Sequence, residues 1–76
     1  MTVKEAARKA EEFRSGCHAF LAKDCGDRWA IFFEEDRGHL GGFPVFVFKD
    51  DGYCTGFIYA EYLDLMHGGK IVELND

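Results

Sequence analysis

The chain has few basic residues and no long hydrophobic run. Nine Lys and Arg residues stand against fourteen Asp and Glu residues in 76 positions, which gives a formal net charge of −5. Binding to phosphate backbones requires clustered Lys and Arg, so this balance argues against direct nucleic-acid binding and favours a basic protein partner. The apolar runs are only a few residues long, too short for a membrane span or a signal peptide. We therefore expect a cytoplasmic protein with no membrane segment.

Recognisable catalytic and metal-binding patterns are also lacking. The three cysteines, Cys17, Cys25 and Cys54, form neither a CxxC pair nor a set with metal-ligand spacing, and their odd number without an export signal favours free thiols. Cys17 and His18 are adjacent, so their side chains point in different directions and make a poor nucleophile and base pair. We expect no catalytic residues, no metal and no cofactor.

Aromatic residues are abundant, at 16% of the chain, and hydrophobic residues make up 47%. This composition is typical of a folded globule, and 76 residues are enough for a single domain over 1–76 with one core. The sequence predicts an α+β fold: a small antiparallel sheet of three to four strands, an N-terminal helix and a second short helix near the C-terminus.

The first helix is the clearest local element. Thr2 and Glu5 have the spacing of a capping box, and apolar residues then recur at helical spacing, so the helix begins at about residue 3. We place its end near residues 14–16, and interpret 18–23 as a short edge strand. A helix continuing through 17–23 is the alternative.

The rest of the chain alternates between strand and helix patterns. Aromatic and β-branched residues favour strands, Asp-Gly favours a hairpin turn, and apolar residues three or four apart favour a helix. On these grounds we predict strands over 27–36, 43–48 and 53–58, a hairpin turn at 50–52, a helix over 59–69 and a last strand over 70–74.

Two features of this sheet suggest a surface for a partner. The strand over 43–48 is apolar on both faces, and short helices cover one face of a small sheet more readily than two, so one face is expected to be exposed. Carboxylates cluster at the strand ends, where they would attract a basic partner. The candidate partner-binding residues are Glu34, Glu35, Asp36, Phe46, Val47, Phe48, Asp50 and Asp51.

Residues 5–65 resemble the small bacterial YrhB-like proteins of the immunity protein 35 family. In that family a short N-terminal helix precedes a Trp-led strand, a Leu-x-Gly-x-x-Pro segment, a strand that ends in Asp- and Lys-rich turn residues before Gly, and a closing Glu-Tyr-Leu helix. The chain departs from that pattern in two shorter connections and in an added "KIVEL" tail. The matching positions are Trp29, Leu40, Gly41, Pro44, Lys49, Asp50, Gly52, Glu61, Tyr62 and Leu63. The resemblance implies an antitoxin that binds and neutralises a cognate toxin without catalysis.

Three functions are compatible with the sequence. The first is an immunity-type inhibitor that occludes a toxin, and the second is a phage- or plasmid-borne acidic inhibitor of a nucleic-acid enzyme, whose carboxylates imitate phosphates. The third, a small thiol- or metal-dependent enzyme, has no assignable nucleophile, base and orienting group. We expect a non-enzymatic module with a protein partner, and a homodimer is kept as an alternative arrangement.

Overall fold

The computed structural model describes residues 2–36, 44–56 and 70–74, which form an N-terminal helix and a five-stranded antiparallel sheet. The protein therefore has an α+β fold. A 3-10 turn at Glu34–Asp36 follows the second strand. The elements are α1 (Val3–Phe13), β1 (Ala19–Asp24), β2 (Arg28–Phe33), β3 (Val45–Phe48), β4 (Cys54–Thr55) and β5 (Lys70–Glu73).

Local signals set both ends of α1. The Oγ1 atom of Thr2 accepts a hydrogen bond from the backbone N–H of Glu5 at 3.2 Å, which satisfies one of the free donors of the first turn. At the other end Arg14 N donates to Ala10 O at 2.9 Å, and Gly16 has a φ of +89°. Glycine adopts that left-handed conformation without strain, so the chain can leave the helix there. The predicted start and end of this helix are confirmed.

The strands are arranged in the order β4-β3-β2-β1-β5, and every neighbouring pair is antiparallel. The prediction of a strand rather than a helix near 18–23 is confirmed, but its placement at an edge is wrong. Ala22 of β1 pairs with Ile31 of β2 on one side and with Val72 of β5 on the other. Because β5 joins the sheet beyond β1, the sheet has five strands instead of the three to four predicted.

Two further predicted strands are present in the structure. The strand expected over 27–36 ends at Phe33, where the 3-10 turn begins, and the last strand is present as β5. The predicted helix over 59–69 lies outside the described residues. Among those that are described, no helix has the length and apolar character needed to cross a membrane.

The core lies between α1 and the sheet face that it covers. Ala6 and Ala10 of the helix have no exposed surface, and their small side chains let the helix approach the strands closely. The sheet residues beneath the helix come from alternate positions of three strands, as the period of two requires. They are Ala22, Trp29, Ile31, Phe33, Val45 and Val47.

Candidate functional site

Both faces of β3 are buried at its centre. Val47 belongs to the cluster under α1, whereas Phe46 pairs with Ala30 on the other face, and neither side chain has any exposed surface. The expectation that one of Phe46 and Val47 forms an exposed contact surface is therefore wrong. The surplus of aromatic residues fills both sides of the sheet at this position.

The acidic candidates do not form one surface. Glu34, Glu35 and the backbone of Asp36 follow β2, while Asp50 and Asp51 follow β3, which runs antiparallel to β2. The two groups therefore lie at opposite ends of the sheet, separated by the six residues of β2, or roughly 20 Å. One small contact surface cannot include both groups.

The turn between β3 and β4 is held by several backbone hydrogen bonds. Gly52 N donates to Phe48 O and Phe48 N donates to Tyr53 O, both at 2.9 Å, and Gly52 has a φ of +74° that suits glycine. Tyr53 N donates to Oδ1 of Asp51 at 2.9 Å, which fixes that carboxylate beside the tyrosine. The predicted hairpin turn at 50–52 is confirmed.

Aromatic side chains continue from this turn along the sheet face opposite α1. The ring centroids of Phe48 and Tyr53 are 6.4 Å apart, and 63% of Tyr53 is exposed. Asp50 and Asp51 are exposed on the same turn. We call Phe48, Asp50, Asp51 and Tyr53 the turn patch. Sequence reasoning named three of its members but missed Tyr53, although Tyr53 directly follows the Asp-Asp-Gly turn.

Arg28 borders the turn patch from the neighbouring strand. Its guanidinium lies 4.3 Å from the centroid of the Phe48 ring, and its Nε donates to Oδ1 of Asp27 at 2.9 Å. The guanidinium beside Asp27 lowers the pKa of that carboxyl group. Cation–π stacking and the ion pair together orient the Arg28 side chain across the Phe48 ring.

A second cation connects the two turns at this end of the sheet. Lys49 N donates to Asp27 O at 3.0 Å, and Lys49 Nζ lies 2.7 Å from Oδ1 of Asp24 and 4.9 Å from the Trp29 ring. The hydrogen bond from Lys49, with a smaller contribution from Gly26 N, lowers the pKa of Asp24. These contacts link the β3–β4 turn, which carries the turn patch, to the β1–β2 turn.

At the opposite end of the sheet the carboxylate of Glu35 binds the start of β1. Glu35 accepts hydrogen bonds from the backbone N of His18 through Oε1 and from its Nδ1 through Oε2, both at 2.6 Å. The hydrogen bond to His18 lowers the pKa of Glu35 to about 2, and the same contact raises the pKa of His18. Glu35 therefore links the start of β1 to the 3-10 turn, and both of its carboxylate oxygens accept hydrogen bonds from His18.

The thiols are distributed through the fold as separate, half-buried groups. Cys17, Cys25 and Cys54 are free, and burial raises the pKa of both Cys25 and Cys54, which leaves these two as protonated and weakly nucleophilic thiols at neutral pH. Cys54 packs against the core. Residues 2–36, 44–56 and 70–74 contain no group of three or more His, Cys, Asp or Glu side chains that could hold a metal ion.

The described residues thus define a small α+β protein: a helix on one face of a five-stranded sheet, with an aromatic and acidic patch at one end. Compared with protein-family models, with curated proteins and with solved structures, the chain matches none of them. The resemblance to the immunity protein 35 family and the functions that it implies stay predictions.

Proposed function

We propose that the protein is a non-enzymatic binding module that recognises a basic protein through the turn patch. The observation that supports this most strongly is the exposure of Tyr53, 63% of which faces solvent beside Phe48 and two exposed carboxylates. Aromatic residues carry much of the binding energy in protein interfaces because a large rigid surface is buried at little entropic cost.

The turn patch is also prepared for binding by its own hydrogen bonds. The bonds of Gly52 and Tyr53 fix the turn, and Arg28 lies across the Phe48 ring at 4.3 Å. A partner that meets a surface already in its bound conformation loses less conformational entropy on association. The turn patch therefore needs little rearrangement to act as an anchor.

Charge determines the kind of partner. Asp50 and Asp51 are exposed at the tip of the turn, and the whole chain carries a formal net charge of −5. Carboxylates at the edge of an interface accelerate the encounter with a basic partner and contribute less to the lifetime of the complex. A basic toxin that acts on nucleic acid meets this requirement, and an immunity-type inhibitor that occludes it is the function we propose.

The test looks for a gene for a basic toxin beside this one, and then measures the association and dissociation rates of that toxin with the purified protein. Replacing Tyr53 by Ser should raise the dissociation rate by about 30-fold, the effect of losing an anchor worth about 2 kcal/mol. The double change Asp50→Lys and Asp51→Lys should slow association at low salt with a smaller effect on dissociation. Glu34→Lys reverses one charge at the opposite end of the sheet, the same change as Asp50→Lys alone, and should affect both rates much less than that single turn variant.

The same variants distinguish an immunity-type inhibitor from an acidic inhibitor of a nucleic-acid enzyme. Binding that is lost on charge reversal but unaffected by Tyr53→Ser would support carboxylates that imitate phosphates, the mode of an acidic inhibitor of a nucleic-acid enzyme. Rates that respond to Glu34→Lys more than to either turn variant would overturn the turn patch as the binding surface. Co-expression of the toxin in cells, with and without the protein, checks that binding neutralises its activity.

A further inference from the structure

A groove that is separate from the turn patch lies between α1 and the sheet. Its volume is about 240 Å³, and it opens to solvent. The helix contributes four positions that share one face, and the sheet side is formed by the start of β1 and the residue after β5. The lining residues are Lys4, Ala7, Arg8, Glu11, Ala19 and Leu74.

The charges in this groove are unusual for so acidic a chain. Lys4 and Arg8 are four residues apart on the helix, a spacing at which like charges repel each other. Neither has an ion-pair partner in the part of the chain that the structure describes. Glu11 directs Oε2 to Ala19 N at 2.9 Å, so this carboxylate is bound to the start of β1. Two cations and one anion leave the groove with one excess positive charge.

The other lining residues are apolar. Ala7 is almost fully buried, while Ala19 and Leu74 are half-buried and pack against the core. A cavity with two cationic side chains and an apolar floor is complementary to a molecule that carries an anionic group and a short hydrocarbon part. Its volume lies below the range of about 300–1,000 Å³ typical of drug-sized ligands, which favours a small molecule.

We propose that this groove binds a small organic carboxylate. The carboxylate lies between Lys4 and Arg8, where the guanidinium can donate two parallel hydrogen bonds, and the hydrocarbon part contacts Ala7 and Leu74. This site goes beyond the proposed function and does not depend on it, because Ala19 and Leu74 lie at the end of the sheet opposite the turn patch.

Butyrate is a suitable probe, and its binding can be followed by NMR through the backbone amides of Ala19 and Leu74. Saturable shifts are expected with butyrate, and much weaker ones with butyramide, which has nearly the same shape without the charge. Lys4→Gln and Arg8→Gln should each weaken binding about two- to fivefold, as expected for exposed ion pairs, and the double variant should weaken it by about the product, roughly four- to 25-fold. Acetate should bind more weakly than butyrate because it leaves the apolar floor uncovered.

Lys9→Gln provides the matched control. Lys9 is an exposed cation on the same helix but does not line the groove, so its replacement should leave the affinity for butyrate unchanged. All of these variants change exposed side chains, and unchanged amide spectra away from the groove will verify that the fold is retained. The proposal is overturned if butyrate gives no saturable shift, if butyramide binds equally well, or if Lys9→Gln weakens binding as much as Arg8→Gln.

Discussion

At the scale of single residues, Phe46 and Val47 show that both faces of β3 are covered at its centre. They are neighbours in β3, their side chains point to opposite faces, and neither has exposed surface. We therefore expect both truncations to destabilise the protein: Phe46→Ala by about 3–5 kcal/mol and Val47→Ala by about 1.5–3 kcal/mol. The free energy of unfolding in urea measures both values.

Tyr53→Ala is the control for these truncations, since most of that side chain is exposed and its loss should change the unfolding free energy little. A Phe46→Ala variant with an unchanged urea midpoint would contradict the burial of that ring. In such a small domain either core truncation can leave the unfolded state populated at room temperature.

The contact between His18 and Glu35 gives a residue-scale prediction about pH. Folding raises the pKa of His18 above 6.5, so the stability gained from its proton is complete below 6.5 and is lost as pH rises through the folded value. Folding lowers the pKa of Glu35 from 4.5 to about 2, so that gain is present above 4.5 and is lost as pH falls towards 2. The pair should therefore stabilise the fold most between 4.5 and 6.5.

His18→Gln tests this window. The difference in urea midpoint between the natural protein and the variant should be larger at about pH 5.5 than at about pH 8.5, where the imidazole has lost its proton. Both groups are exposed, so the effect is expected to be small and to decrease with added salt. An equal difference at the two pH values would show that the charge on His18 contributes nothing.

At the scale of elements, the fit between α1 and the sheet depends on alanine. Ala6 and Ala10 are fully buried against the strands, so a larger side chain at either position must push the helix away from the sheet. Ala10→Leu should cost about 1–3 kcal/mol in unfolding free energy through overpacking, although Leu is a good helix former. The matched control is Lys9→Ala on the exposed face, for which thermal unfolding should shift little. An Ala10→Leu variant that is more stable than the natural protein would mean that a cavity large enough for the Leu side chain exists between α1 and the sheet.

Local signals account for the elements that the sequence predicted correctly. Thr2 with Glu5 and the regular alanines specify α1, and Asp50-Asp51-Gly52 specifies the turn after β3, because these interactions span only a few residues. The position of β1 within the sheet could not be obtained in this way. It depends on pairing with β5, whose residues are about 50 positions away in the chain.

In the candidate site, too, residues close in sequence could be grouped correctly, whereas the grouping of residues from different strands could not. Sequence reasoning named Phe48, Asp50 and Asp51 among the candidate partner-binding residues, and the structure places them together at the β3–β4 turn. It also grouped them with Glu34 and Glu35, which the antiparallel course of β2 and β3 carries to the other end of the sheet. Neighbours across a sheet are determined by strand order and register, and neither follows from residue types alone.

At the scale of the whole molecule, charge and potential binding surfaces are divided between two ends. The end with the turn patch presents Asp50 and Asp51, whereas the groove near the opposite end contains Lys4 and Arg8. The sheet separates the two surfaces, and different elements form them. Ligand binding in the groove and partner binding at the turn patch should thus be energetically independent unless the sheet itself rearranges.

The core shared by α1 and the sheet also means that these described elements should unfold together. Ala6 and Ala10 of the helix pack in the same cluster as Trp29 and Ile31 of the sheet, so neither element can bury its apolar face alone. Far-UV circular dichroism, which is sensitive to the helix, and the fluorescence of Trp29, the chain's only tryptophan, should therefore give the same urea midpoint. Trp29 is 8% exposed and lies 4.9 Å from Lys49 Nζ, so its emission should shift to the red on unfolding. Separate midpoints, with the helix signal lost first, would mean that the sheet is stable without α1 and that the shared core contributes less than its burial indicates.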